Sequence, residues 1–199
     1  YYDAAYNHMK TSIANIIRPD ASSYHTFFFD MATNEPLRGE THQGFSDDSS
    51  WARGQSWAVY GLALCYHYTH EEAILPLFER VTKYFIDHLP EDYVPYWDLI
   101  FSDGSCEPRD TSAAAIAACG ILEMEKYYHN QEFLDIAKKM MSSLSEKYTT
   151  VDYLQSNGII KDGMYSRKHG HKSECTSWGD YFYLEALMRM KKSDWKIYW

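Results

Sequence analysis

Runs of alternating β-branched residues are nearly absent from this chain, and Val is scarce throughout. A domain built mainly of sheet is therefore not expected. Basic residues are the minority charge: 19 Lys and Arg stand against 28 Asp and Glu, a net charge of −9. That balance argues against nucleic acid or an anionic membrane as a partner, although one well-placed cation can still hold a small anion. No apolar stretch is long enough to span a bilayer, and no signal peptide is read at the start. The chain opens on Tyr1 rather than Met, so a segment of a longer gene product is expected, with its compartment open between cytoplasm and periplasm. The four cysteines, Cys65, Cys106, Cys119 and Cys175, show no C-x-x-C spacing. Neither a zinc site nor a redox motif is expected, and no cofactor. Cys65 and Cys119 lie in apolar runs and read as small buried hydrophobes.

Aromatic residues are what the chain has in excess, with 18 Tyr and 6 Trp. Most belong to cores, but rings with a polar handle also suit surfaces that hold flat, half-polar ligands such as sugars. Helical periodicity recurs in two styles. Residues 2–17, 72–89 and 131–148 carry one apolar stripe and one charged face, as in Ile74, Leu77, Phe78, Val81, Phe85 and Leu89. These predict outer helices covering a core. Residues 51–68, 111–124 and 178–190 are apolar or small nearly all round, which predicts helices buried on both sides. The two styles alternate, giving three helical hairpins at a period of roughly 60 residues.

If the hairpins pack side by side, the inner helices run in one direction and their N-termini share a rim. The segments before them, "THQGFSDDSS", "VPYWDLIFSDGSCEPRD" and "MYSRKHGHKSECTS", are rich in aromatic and charged residues. Each offers N-caps: Asp48 or Ser50, Asp110 or Thr111, and Ser177. Capping leaves His42, Gln43, Trp51, Arg53, Trp97, Arg109 and Trp178 unexplained. In "SDDSSWARGQSW", Trp51 and Gln55 share one helical face, and Arg53 and Trp57 share an adjacent one. An arginine flanked by indoles at a helix N-terminus can bind a planar carboxylate bidentately while the rings stack on a sugar. It can equally be a cation–π partner of Trp, neutralised by Asp47 or Asp48.

The stretch "THQGFSDDSSWARGQSWAVYGLAL", with "RPDASSYHTFFFD" before it and "VPYWD" and "PRDTSAAAIAACGILEM" after it, resembles the unsaturated glucuronyl hydrolases of glycoside hydrolase family 88. The closing "WGDYFYLEALMRM" is similar to that family's last inner helix, so the resemblance runs from about Tyr1 to Lys192. It implies an all-α fold, an (α/α)6 barrel, of which this chain supplies about three hairpins as the C-terminal half of one catalytic domain. It implies a substrate with 4,5-unsaturated glucuronic acid at the non-reducing end of a glycosaminoglycan fragment. In the family an aspartic acid protonates C4 of the double bond and water attacks C5, unlike displacement at the anomeric carbon. By the same pattern His25, Gln43, Trp51, Arg53 and Trp57 match substrate-pocket positions. Trp178 falls in the pocket where the family usually has a Tyr facing the catalytic water. Segment 166–172 occupies the loop that contacts the second sugar in relatives, but it looks shorter, so sulfate preference is not carried over. Both catalytic aspartates of the family lie upstream, and Asp3 and Asp20 do not sit in their motifs. No catalytic residue is therefore expected in this chain, and its partner is the N-terminal half of the same protein or another copy. Two other readings stand beside this one. One is an unsaturated rhamnogalacturonyl hydrolase, whose "RGNGW" differs from Arg53-Gly-Gln-Ser-Trp57. The other is a non-catalytic sugar-binding helical repeat.

Overall fold

The computed structural model describes residues 1–192 and 194–197. Its elements are α1 (Tyr2–Ile16), β1 (Thr26–Phe29), β2 (Pro36–Glu40), α2 (Ala52–Thr69), α3 (Ile74–Asp87), α4 (Thr111–Met124), α5 (Gln131–Lys147) and α6 (Ser177–Lys191). All six periodic segments are helices, with ends within about two residues of those expected. Helices α2, α4 and α6 form an inner row with α4 in the middle, while α3 packs on α2 and α5 on α4.

Both ends of the inner row are tied by polar contacts, which fixes its direction. Near the N-termini, Arg53 of α2 meets Asp110, the N-cap of α4, and Trp178 of α6 donates to Ser112 Oγ at 3.2 Å. Near the C-termini, Glu123 of α4 accepts from Arg189 of α6 and meets His67 of α2 at 2.9 Å. The three helices therefore run parallel, with their N-termini on one rim. Burial alone would raise the Glu123 pKa, but Lys126 and Arg189 hold it below the usual carboxylate value. Such pairs add little net stability, yet removing one partner strands a charge in the core at a cost of about 3–5 kcal/mol.

The composition of α4 explains its central place. Every residue except Leu122 is buried, and five alanines keep its surface narrow. At Gly120 an added Cβ would lie 2.7 Å from the Tyr60 Cα, so only glycine permits this approach of α4 to α2. Outer helix α3 instead buries one stripe, Ile74, Phe78, Val81 and Phe85. Each fully buried Phe or Val of this kind contributes about 1.5–3 kcal/mol.

Four details complete or correct the expected pattern. First, the all-α fold carries one small hairpin: β1 and β2 pair antiparallel, with Thr26 opposite Glu40 and Phe28 opposite Arg38. The hairpin is closed by its turn rather than by an alternating pattern, since the Asp30 carboxylate accepts from the Ala32 and Thr33 amides and Asn34 adopts φ 60°. Second, α2 begins after Trp51 with no side-chain cap. Its entry is held by the neighbouring loop, where the Ala52 amide donates to the Trp97 carbonyl at 3.1 Å. Third, Thr176 rather than Ser177 caps α6, accepting from the Gly179 amide. Fourth, as a half barrel requires, α1 and α6 keep open faces among the described residues. Of α1 only Met9 is buried, and a groove of about 430 Å³ separates α1 from α2. Small residues of α2, Gly54, Ala58 and Gly61, leave that space. Helix α6 exposes Tyr181, Leu184, Leu187 and Met190 along one face.

Candidate functional site

The rim at the N-termini of α2, α4 and α6 is assembled around Arg53. This residue, in the first turn of α2, is only 3% exposed. Its guanidinium lies 4.6 Å from the Trp51 ring and 5.2 Å from the Trp178 ring. Two indoles thus flank the guanidinium plane, and cation–π attraction of about 0.5–2 kcal/mol favours the arrangement. Within that plane Nη1 donates to Asp110 Oδ2 at 2.6 Å, Ser112 Oγ at 3.1 Å and the Met164 carbonyl at 2.9 Å. Nη2 donates to the Tyr165 carbonyl at 2.8 Å. The neutralising carboxylate is therefore Asp110, not Asp47 or Asp48. Asp47 instead accepts from the Thr41 amide through its side chain and from Arg18 through its carbonyl. Of the five guanidinium N–H donors, one on Nη2 and the one on Nε lie outside these bonds.

Gln43, from the loop after β2, joins the same loop before α6. Its Nε2 also donates to the Tyr165 carbonyl, at 2.8 Å. Arg53 and Gln43 thereby fix residues 164–165 from two directions.

His25 precedes β1, and its ring lies 4.4 Å from Trp51. Its Nδ1 accepts from the backbone amides of His42 and Gln43, both at 3.0 Å. That nitrogen has no proton to give, so the neutral ring carries its proton on Nε2. Burial, with His42 and Arg53 nearby, lowers the His25 pKa to about 4. His25 is thus an uncharged Nε2–H donor with a locked orientation.

Trp57, one turn beyond Arg53, does not share its surroundings. It is 38% exposed, packs edge-on to Phe182 at 5.1 Å and lines the groove between α1 and α2 with His25 and Trp51. Trp97 stands behind the rim, buried with Trp51 and Met164, its Nε1 donating to Glu107 at 2.9 Å. Arg109 belongs to a separate cluster, over the Tyr96 ring and beside Asp92 and Asp103. The structure therefore gathers His25, Gln43, Trp51, Arg53 and Trp178 on one rim, with Trp57 at its groove side.

Sequence reasoning missed three contributors. Asp110 was visible only as a cap, and Ser112 and the Met164–Tyr165 carbonyls carried no signal at all. Asp98 is a further support: its Oδ2 accepts from the Phe45 amide at 2.8 Å and Ser49 Oγ at 2.7 Å, shaping the loop that delivers Gln43. Among the described residues, no group of three or more His, Cys, Asp or Glu could hold a metal ion. None of the described helices is long and apolar enough to cross a membrane.

Comparison with known proteins adds an independent line. The family model Glycosyl Hydrolase Family 88 matches residues 1–193. An unsaturated chondroitin disaccharide hydrolase of Streptococcus pneumoniae is 49% identical over all of this chain and 52% of its own length. The crystal structure of an unsaturated glucuronyl hydrolase from Streptococcus agalactiae superposes with a TM-score of 0.93 at 47% identity, over 98% of this chain and 50% of that one. A mutant of the Streptococcus agalactiae enzyme complexed with dGlcA-GalNAc6S matches with a TM-score of 0.90 at 46% identity, over 100% of this chain and 54% of that one. The chain spans about half the length of the relatives it matches.

Proposed function

The chain belongs to glycoside hydrolase family 88, and from that premise we propose that it supplies one half of an unsaturated glucuronyl hydrolase. The substrate is a 4,5-unsaturated glucuronic acid at the non-reducing end of a glycosaminoglycan-derived oligosaccharide. A chondroitin-type disaccharide is the form favoured by the name of the Streptococcus pneumoniae relative and by the dGlcA-GalNAc6S bound to the mutant enzyme. The reaction is hydration of the vinyl ether: a carboxylic acid protonates C4, water adds at C5, and the hemiketal opens and releases the second sugar. The acid comes from the rest of the polypeptide, and this chain contributes the uronate pocket.

One observation supports the reading most: an arginine held between two indoles, beside a neutral His25 donor and Gln43. The walls suit a sugar ring, and the donors on Nη2 and Nε suit its carboxylate. His25 and Gln43 are assigned to the ring oxygens, and Trp57 to the groove side of the pocket.

The test uses the full-length polypeptide and follows loss of the double-bond absorbance of an unsaturated chondroitin disaccharide. Arg53→Ala removes a charge-assisted pair worth about 2–5 kcal/mol, so kcat/KM should fall by about 30-fold to several thousand-fold. Arg53→Lys should recover only part, because a point charge cannot replace the fork. Because Arg53 also neutralises buried Asp110, the melting temperature should fall in the Ala variant. Wild-type kcat/KM in the folded variant would reduce Arg53 to a structural tie. A second reading, sugar binding without catalysis, is favoured for the isolated chain because the rim forms here without the acid assigned to the rest of the polypeptide. Isothermal titration with the same disaccharide, in the absence of turnover, separates the two.

A further inference from the structure

Asp110 uses its two oxygens for different purposes. Oδ1 accepts from the Ser112 amide at 3.2 Å and Ser112 Oγ at 2.6 Å, which caps α4. Oδ2 accepts from Arg53 Nη1 at 2.6 Å. The Met164 amide also points at Oδ1, at 3.4 Å. The side chain is fully buried. A cap alone needs only a neutral oxygen, as Ser, Thr or Asn provides. An ionised carboxylate with no exposure is a costly choice that capping does not require.

The geometry around Arg53 shows what the charge adds. Trp51 and Trp178 flank the guanidinium at 4.6 and 5.2 Å, but contacts with ring faces do not set the direction in which its N–H groups point. Asp110, Ser112 Oγ and the Met164 carbonyl on Nη1 and the Tyr165 carbonyl on Nη2 hold that orientation, and Asp110 is the one charged partner of these four. They decide which two N–H groups remain for a ligand. An arginine side chain otherwise loses much rotamer freedom when it is held by a ligand alone.

We propose that Asp110 is a positioning residue for uronate recognition, setting the in-plane orientation of the Arg53 fork from the N-terminus of α4. The proposal rests on the functional reading above and deepens it. It also opposes the simple Coulomb expectation. A negative charge beside Arg53 weakens attraction for a second carboxylate, so charge alone predicts that removing it improves binding of the acid.

The experiment compares an unsaturated chondroitin disaccharide with its uronate methyl ester on the full-length enzyme. The ester keeps the ring and the double bond but cannot form a charge-assisted bidentate pair. Asp110→Asn and Asp110→Ser both keep a capping oxygen and remove the charge. Rates are taken per folded molecule. The wild-type preference for acid over ester, measured as the ratio of kcat/KM values, should drop by about tenfold in both variants, the worth of about 1.4 kcal/mol in orientation. The drop should come from kcat on the acid, with KM unchanged or lower. An unchanged ratio, with both substrates losing equally, assigns Asp110 to the core and overturns the proposal. A ratio that rises supports Coulomb repulsion instead and also overturns it, as does failure of both variants to fold. A wild-type enzyme that converts neither substrate overturns the functional reading itself, and this proposal with it.

Discussion

His25 is a residue whose chemistry is set by two backbone amides. Burial disfavours its charged form, His42 and Arg53 nearby add to this, and the two amides on Nδ1 leave that nitrogen no acceptor for a second proton. Its pKa falls from the ordinary histidine value of about 6.5 to about 4. The sign of the linkage follows. An unfolded chain takes up a proton near pH 6.5, and the folded one only near pH 4. The stability this group contributes is complete above about pH 6.5 and is lost as pH falls towards 4. Imidazole nitrogen shifts should report the Nε2–H tautomer and no protonation at pH 5.5. A titration midpoint near 6.5 would contradict the two-amide geometry.

Helix packing turns on two glycines with opposite surroundings. At Gly120 of α4 a Cβ would meet the Tyr60 backbone at 2.7 and 2.8 Å, and backbone cannot step aside. Gly120→Ala should therefore separate α2 from α4 and cost about 2–3 kcal/mol or more, the upper end for overpacked cores. At Gly61 of α2 a Cβ meets nothing within 4 Å. Gly61→Ala in the isolated chain should stabilise it by about 0.5–1 kcal/mol through helix propensity alone. Thermal or urea unfolding of the pair decides the point, and the same sign for both would refute the packing described here. The difference was hidden in the sequence, because both glycines sit in apolar helical runs of the same style.

The whole molecule is open on two sides. One is the α1–α2 groove of about 430 Å³, and the other is the α6 face of Tyr181, Leu184, Leu187 and Met190. Relatives twice as long, and half-covered by this chain, fit the proposal that further polypeptide closes both. Contiguous apolar surface of this kind drives association. The isolated 199-residue chain should self-associate in sedimentation velocity, and Leu184→Glu with Leu187→Glu should shift it towards monomer. Added N-terminal half should do the same by competing for the surface. A monodisperse monomer at micromolar concentration would show that these faces are not interfaces.

The sequence by itself determined the helices, their two styles and their order, because periodicity of apolar residues is a local property repeated every three to four positions. It also located the rim, since whatever precedes three parallel helices must gather at one end. Only the tertiary structure decided what the rim residues do to one another. Arg53 and Asp110 are 57 positions apart, and Gln43 reaches Tyr165 across 122. No local pattern encodes such pairs. Any of several nearby carboxylates could have neutralised Arg53, and Asp47 and Asp48 were nearer along the chain. The choice fell to Asp110 because it caps α4, whose N-terminus lies beside the first turn of α2 once the two helices pack.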